Sequence, residues 1–93
     1  MSEDVASSLT GLMDFFNSPG FRAHGWSAVL YTWKPEPWLT VYMPSGSHVS
    51  VSWDSTSWCV DRGGEIYRLE SLDSCKKLIQ KKNAEETREM NFE

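Results

Sequence analysis

The chain has 93 residues, of which 40% are hydrophobic and 24% are charged. This length supplies one small domain with one core, and the apolar content is high enough for the chain to fold rather than remain disordered. The net charge of −4, from 13 acidic and 9 basic residues, disfavours a nucleic-acid binder, because such proteins concentrate Lys and Arg on one face.

No segment of the sequence has the features of an export signal or a membrane span. Residues Met1 to Asp4 are polar and acidic, whereas a secretory signal starts with basic residues followed by an apolar run. No apolar segment approaches the ~20 residues that span a bilayer. We therefore expect a cytoplasmic protein without a membrane partner. Its two cysteines, Cys59 and Cys75, are expected to be reduced and buried, with a disulfide between them as the alternative.

A helix is predicted at the N-terminus. Apolar residues recur at the spacing of one helix face between Val5 and Phe16. The sequence of residues 17–20 ends this helix, because Pro19 lacks a backbone N–H and disfavours helical geometry in the residue before it. Residues 21–25 are predicted to form a short connector.

From Trp26 to Tyr67 the periodicity changes to two, and this segment contains all five tryptophans and all three tyrosines. Apolar residues alternate with polar ones, and turns rich in Pro, Gly, Ser and Asp interrupt the pattern. This is typical of an antiparallel meander of four to five strands. The predicted strands are residues 26–33, 38–43, 48–53, 57–61 and 65–69.

A second helix is predicted to follow the last strand. Ser71 is its N-cap, an apolar stripe from Leu72 to Ile79 faces the sheet, and Asn83 is the residue just after its C-terminus. Residues 84–93 are rich in Glu, and they are predicted to be a charged tail or a frayed extension of this helix. The domain proper is therefore predicted to be residues 1–83.

The predicted fold is α+β: a single α-β-β-β-β-β-α domain with both helices on one face of the sheet. Because strand side chains alternate between the two faces, the pattern also predicts what each face contains. The aliphatic face beneath the helices contains Leu39, Val41, Met43, Val49, Val51 and Trp53. The opposite face is aromatic and rich in hydroxyl groups, with Trp38, Thr40, Tyr42, His48, Ser50 and Ser52.

No pattern of catalytic, metal-binding or phosphate-binding residues stands out. His24 and His48 are the only histidines, and neither lies at the spacing of a known nucleophile–base arrangement. Neither the histidines nor the cysteines show the paired spacing of zinc ligands. The glycine pair at 63–64 belongs to a hairpin loop without the G-x-x-x-x-G-K pattern. We therefore expect a protein that is not an enzyme and binds no metal or cofactor.

A small acidic domain with an aromatic sheet face acts most often by binding. We expect a non-enzymatic inhibitor that occludes the functional site of a protein partner. The predicted contact residues are Trp33, Trp38, Tyr42, His48 and Trp58.

Size and composition suggest two narrower hypotheses by analogy. One is an anti-defence protein of a phage or mobile element, similar in kind to anti-CRISPR proteins. Such a protein binds a nucleic-acid-handling complex without binding the nucleic acid directly. The other is a toxin-immunity protein. A different class remains open as the alternative, namely a module that binds a nucleotide or sugar on aromatic rings. In a further alternative the rings are covered by the chain itself or by a second copy in a homodimer.

Overall fold

The computed structural model describes the backbone of residues 2–32 and 36–91 and the side chains of residues 5–32 and 36–88. Within these ranges the chain forms three helices and five strands in the predicted order, apart from one additional short helix. The helices are α1 (Ser2–Phe16), α2 (Pro19–Ala23) and α3 (Leu72–Asn91). The strands are β1 (Ser27–Tyr31), β2 (Trp38–Tyr42), β3 (His48–Trp53), β4 (Trp58–Arg62) and β5 (Glu65–Leu69).

The five strands form one antiparallel sheet in the order β1-β2-β3-β4-β5, so each strand pairs with its neighbour in sequence. Short turns make this order possible. The tightest turn joins β4 to β5, where Gly63 and Gly64 have φ angles of 60° and 98°. A two-residue hairpin turn of this type needs positive φ at both central positions, which glycine adopts without steric cost. The predicted α+β class and the meander are confirmed.

Both long helices pack on the same face of the sheet, as predicted. Helix α1 contacts β1 and β2, and α3 contacts β4 and β5. Between the helices and the sheet lies a continuous core of buried side chains, of which the largest fully buried are Leu9, Leu12, Phe16, Leu39, Val41, Val49, Val51, Val60, Cys75 and Ile79. Burial of this apolar surface is the main contribution to the stability of the fold. Trp53 lies on the predicted face, but it is only partly buried at the margin of this core rather than buried beneath the helices.

The predicted connector at residues 21–25 is partly helical. Helix α2 begins at Pro19, a position where the missing N–H of proline costs nothing because the first helical N–H groups have no partner in the helix. Its Phe21 packs on Phe16 with ring centroids 5.6 Å apart and on Trp26 at the same distance. This tertiary contact, which a local pattern does not reveal, holds the turn in place.

The last helix continues beyond its predicted end at Asn83. Asn83 lies inside α3, and its side-chain oxygen accepts a hydrogen bond of 3.0 Å from the backbone N–H of Ser45. One turn further on, Glu86 accepts hydrogen bonds of 2.6 Å from the hydroxyl of Ser45 and 2.6 Å from Nε of Arg62. The second half of α3 is therefore attached to the sheet by polar contacts.

Cys59 and Cys75 are both free thiols, in agreement with the reduced state that was predicted. Cys75 is buried in the core, and burial raises its pKa to about 11. Cys59 is only partly buried, so the prediction of burial is wrong for this residue. No helix in the described part of the chain has the length and apolarity to cross a membrane.

Candidate functional site

One face of the sheet lies opposite all the helix contacts, and we call it the open face. The described side chains that point to it are Ser27, Val29 and Tyr31 from β1, Trp38, Thr40 and Tyr42 from β2, His48, Ser50 and Ser52 from β3, Cys59 and Asp61 from β4, and Ile66 and Arg68 from β5. The exposed large hydrophobic residues of the described chain are all on this face: Val29 is 42% exposed, Tyr42 40% and Ile66 57%. All three leave apolar area in water on the same side of the sheet, which makes this side the candidate interaction surface.

The strand register arranges these side chains in rows across the sheet. The middle row crosses all five strands, and it runs Val29, Thr40, Ser50, Asp61 and Ile66. In this row the apolar side chains stand at the two margins and short polar ones in between. The centre of the open face is therefore lower than its margins and is lined by hydroxyl groups.

The aromatic residues are concentrated on the β1–β2 side of the open face. Tyr31 and Trp38 are directly opposite in the register, and their rings stack with centroids 5.0 Å apart and an interplanar angle of 17°. Tyr42 lies beside His48, with centroids 5.9 Å apart. A side-chain hydrogen bond with Tyr31 raises the pKa of the Tyr42 hydroxyl.

Three of the five predicted contact residues are brought together on the open face. Trp38, Tyr42 and His48 all point to it, and Tyr42 and His48 are cross-strand partners. Trp58 does not join them, because it lies opposite Trp53 in the register and points to the helix side. The two indole rings lie 4.9 Å apart there and cover the edge of the core. Trp33 lies outside the described residues.

Several residues of the open face were not predicted as contact residues. Val29 and Tyr31 belong to a strand that is apolar on both faces, so alternation alone does not distinguish the exposed side. Ile66 has the same ambiguity, because β5 also has large side chains on both faces, with Ile66 on one and Leu69 on the other. The hairpin at residues 63–64 resolves the orientation of Ile66, because it pairs Ile66 with Asp61 and so places both side chains on the open face.

A polar cluster of Asp54, Cys59 and Arg68 forms one corner of the open face. The carboxylate of Asp54 accepts hydrogen bonds from the backbone N–H groups of Thr56 at 2.9 Å and Ser57 at 2.8 Å, and these lower the pKa of Asp54. Asp54 also forms an ion pair with Arg68.

The thiol of Cys59 donates to Asp54 at 3.4 Å. Burial, followed by this hydrogen bond, raises the pKa of Cys59. A thiol that is held protonated is a poor nucleophile. The arrangement therefore does not favour covalent chemistry at Cys59.

A cleft of about 550 Å³ lies at the opposite corner, lined by Ser47, His48, Arg62, Gly63 and Glu65. Its one cation, the guanidinium of Arg62, is already bound to Glu86 and lies 3.4 Å from Glu65. An anionic ligand would have to displace these carboxylates. The cleft therefore offers no free cation to such a ligand, and its Arg62 and Glu65 lie on the helix side of the sheet.

The two histidines lie in different parts of the fold. Nδ1 of His24 lies 2.8 Å from the carbonyl oxygen of Gly20, which places this ring at the end of α2. His48 stands on the open face next to Tyr42. Among the described residues, no three His, Cys, Asp or Glu side chains lie close enough together to hold a metal ion.

No protein-family model matches the sequence, and no curated protein or solved structure shows significant similarity to it.

Proposed function

We propose that this protein is a non-enzymatic binding protein of the cytoplasm that inhibits a protein partner by covering its functional site with the open face. The observation that supports this most directly is the exposure of Val29, Tyr42 and Ile66 on one sheet surface. In water these side chains leave apolar area unburied, and docking a partner removes that area from water. The adjoining Tyr31–Trp38 stack adds two rigid rings of the type that dominates binding energy in interfaces.

The chemistry of the open face favours a protein over a nucleic acid. Its charged residues among those described are Asp61, Arg68 and, at one corner, Asp54, and the single cation Arg68 is paired with Asp54. A surface that tracks a phosphate backbone needs unpaired Lys or Arg. Interface centres, in contrast, are depleted of charge and enriched in Tyr and Trp, with polar groups at the rim.

The same contacts argue against a small nucleotide or sugar as the primary ligand. A base or sugar ring stacks on an aromatic face that is free, whereas Tyr31 and Trp38 stack on each other. Ligand pockets are also concave and enclose most of a small molecule. The cleft lined by Ser47, His48, Arg62, Gly63 and Glu65 is polar rather than apolar.

The test compares variants on two surfaces of the folded protein. Tyr42→Ala and Trp38→Ala truncate aromatic rings of the open face, and the combination Lys77→Glu with Lys81→Glu changes two exposed positions on α3. Each protein is tagged and used for affinity purification from bacterial lysate, and binding to the recovered partner is then measured by calorimetry. Loss of a central anchor commonly costs at least ~2 kcal/mol, or close to thirtyfold in affinity.

We expect the aromatic variants to weaken binding by about this factor while the melting temperature changes by only a few degrees, and the lysine variant to bind normally. Unfolding of the aromatic variants would show that these rings are structural. Loss of binding in the lysine variant alone would place the contact on α3 and indicate an acidic partner. A rise in melting temperature with a nucleotide or sugar would instead support the small-ligand alternative.

The narrower proposal is that the partner belongs to a bacterial defence complex that handles nucleic acid. Its support is the small size, the acidic composition and a contact face that lacks free cations. Expression of the protein in a strain that restricts a phage is then expected to restore plaque formation. Tyr42→Ala is expected to lose this effect at equal protein level. Plaque formation that stays restricted across the defence systems tested would remove this narrower proposal.

A further inference from the structure

We infer that the β5 edge of the sheet is a second binding site, at which an extended segment of the partner protein adds a further antiparallel strand. The segment has an apolar side chain opposite Ile66 and basic side chains at its ends. This inference rests on the proposed function, because the segment belongs to the protein that covers the open face. It is carried by the unpaired backbone groups of β5 and by the charges at the two ends of this strand.

The outer backbone groups of β5 have no partner strand. β5 is the last strand in the order of the sheet, and all five of its residues are in continuous register with β4. In a hairpin closed by a two-residue turn, the pair next to the turn, here Arg62 and Glu65, exchanges both backbone hydrogen bonds, and bonding then alternates along the strand. The N–H and C=O groups of Ile66 and Arg68 therefore point away from β4, with the two residues about 6.8 Å apart.

Within the described part of the chain, no side chain or loop takes the place of the missing strand. The hydrogen bonds made there outside the regular elements do not involve the backbone of Ile66 or Arg68. At the other edge, in contrast, Asn17 binds both backbone groups of Ala28 in β1. β5 also contains neither a proline nor a bulge, which are features that stop an edge from pairing. The fold protects β1 at this point and leaves β5 available.

The side chains of β5 leave room for a strand beside it. Ile66 is the most exposed of the large hydrophobic residues described, and an apolar residue opposite it would lie on the same face and bury part of its area. Arg68 is directed back over β4, where it pairs with Asp54 and lies 3.5 Å from the sulfur of Cys59. The charge of Arg68 is therefore matched within the chain and does not oppose an incoming strand at the edge.

The charges at the ends of β5 favour a basic segment. Glu65 begins the strand, Glu70 follows its last residue, and both are exposed. Arg68, the one cation of the strand, is already paired. Arg62 lies 3.4 Å from Glu65, but its guanidinium is bound more closely by Glu86. A segment with Lys or Arg at its ends therefore meets complementary charge, whereas a second copy of β5 would bring the same carboxylates.

Antiparallel addition predicts which residues of the segment bind. Antiparallel pairing continues the sheet, and it is slightly more stable per residue than parallel pairing. Residues of the segment opposite Ile66 and Arg68 exchange N–H and C=O bonds with them and point their side chains to the open face. The residues between them direct their own N–H groups away from β5. Backbone bonds thus supply affinity, and alternate side chains supply specificity.

The probe is the peptide acetyl-Lys-Thr-Val-Thr-Val-Thr-Lys-amide. Its valines are spaced to face Ile66 and Arg68, and its lysines then lie near Glu65 and Glu70. The peptide is titrated to millimolar concentration into isotope-labelled, full-length protein, and NMR spectra record which amides shift. We expect saturable shifts in β5 and not in β1.

Amide exchange in the same samples reports the state of the edge. In the free protein, the amides of Ile66 and Arg68 should exchange faster than those of Tyr67 and Leu69, because only the latter are bonded to β4. Binding of the peptide should slow exchange at Ile66 and Arg68.

N-methylated peptides separate an added strand from loose adhesion. Methylation of the two valine nitrogens removes the N–H groups that bond to β5 and should weaken binding by at least about tenfold. Methylation of the first two threonine nitrogens, which face away from β5, is the matched control and should change the affinity little.

The charges are tested by neutral variants at exposed positions. Glu65→Gln combined with Glu70→Gln should weaken peptide binding about two- to fivefold at low salt. Asp14→Asn combined with Glu36→Gln changes the net charge equally at other exposed positions and should bind as the wild type does.

Three results overturn the inference: amides of Ile66 and Arg68 that are already protected in the free protein, no peptide-induced change at β5, or equal weakening by the two methylation patterns. Each is distinguishable from failure of the proposed function. A partner captured through Tyr42 by a protein whose β5 binds no peptide refutes the edge site alone. Peptide binding at β5 without any captured partner supports strand addition and refutes the proposed function.

Discussion

The side chain of Asn17 and the backbone of Ala28 exchange two hydrogen bonds, each 2.9 Å long. Nδ2 of Asn17 donates to the carbonyl oxygen of Ala28, and the N–H of Ala28 donates to Oδ1 of Asn17. Ala28 lies in the edge strand β1, so these backbone groups face away from β2. The amide of Asn17 takes the place of a neighbouring strand at this position. It fixes the end of α1 to the sheet and protects part of an edge that would otherwise pair with other chains.

Replacement of this amide is expected to destabilise the fold. Asn17→Ala leaves one donor and one acceptor of Ala28 unpaired next to the core, and a lost bond of this kind costs ~1–3 kcal/mol. Urea denaturation measures the free energy of unfolding. Asp14→Ala, at an exposed position in the same helix, is the control and should change it by no more than ~0.5 kcal/mol. Equal stability of the two variants would contradict a structural role for Asn17.

The two faces of the sheet are expected to respond differently to the same substitution. Val51 is fully buried beneath the helices, so Val51→Asp places an unpaired carboxylate in the core and should cost several kcal/mol or prevent folding. Val29→Asp on the open face should cost about 1 kcal/mol or less, mainly through the low strand propensity of Asp. Circular dichroism and urea denaturation compare the variants. A cooperatively folded Val51→Asp protein of normal stability would show that the core face is wrongly assigned.

The ionisation of Asp54 is expected to make the stability of the fold depend on pH in the acidic range. Backbone hydrogen bonds from Thr56 and Ser57 lower its pKa in the folded state below the ordinary value of 3.8. The folded state therefore favours the carboxylate, and this contribution is fully present above the unfolded pKa and is lost as the pH falls below about 4. Asp54→Asn lacks this ionisation. The difference in melting temperature between wild type and variant should shrink between about pH 5 and pH 2, and a constant difference would exclude this role.

The polar contact between α3 and the sheet provides a further prediction. The Glu86 side chain is 13% exposed and that of Arg62 is 31% exposed. Burial raises the pKa of Glu86, but hydrogen bonds from Ser45, Ser47 and Arg62 together outweigh it, so the pKa is lowered and the carboxylate is charged. Glu86→Ala leaves the guanidinium of Arg62 without its main partner and should cost ~1–3 kcal/mol.

Hydrogen exchange measured by mass spectrometry reports the same contact locally. Amides of residues 84–88 should exchange faster in Glu86→Ala than in wild type, because the helix loses its attachment to the sheet. The neighbouring Glu85 is 45% exposed and lies 3.6 Å from Lys82, so Glu85→Ala is a matched control that should change little. Similar exchange in the two variants would show that Glu86 does not hold this part of α3.

Much of the fold follows from local sequence patterns. Helical spacing identifies the buried face of α1, and alternation identifies β2 and β3 and assigns Val49 and Val51 to the core. Because alternation also determines what points the other way, the sequence alone predicts that Trp38, Tyr42 and His48 share one face. These features depend on residues a few positions apart, where backbone geometry dictates which side chains lie together.

Only the tertiary structure decided the features that depend on distant residues. The register of β4 against β3 turns Trp58 towards the helices and away from the aromatic face, since the side of a strand that faces inward is set by its partner. Helix α3 continues beyond Asn83, its predicted C-terminal boundary, because Glu86 binds Arg62, which lies 24 positions earlier in the chain. Ile66 and Val29 become parts of one surface because four strand pairings place them in the same row. Pairings of this kind are selected by the packing of the whole sheet, which no short segment encodes.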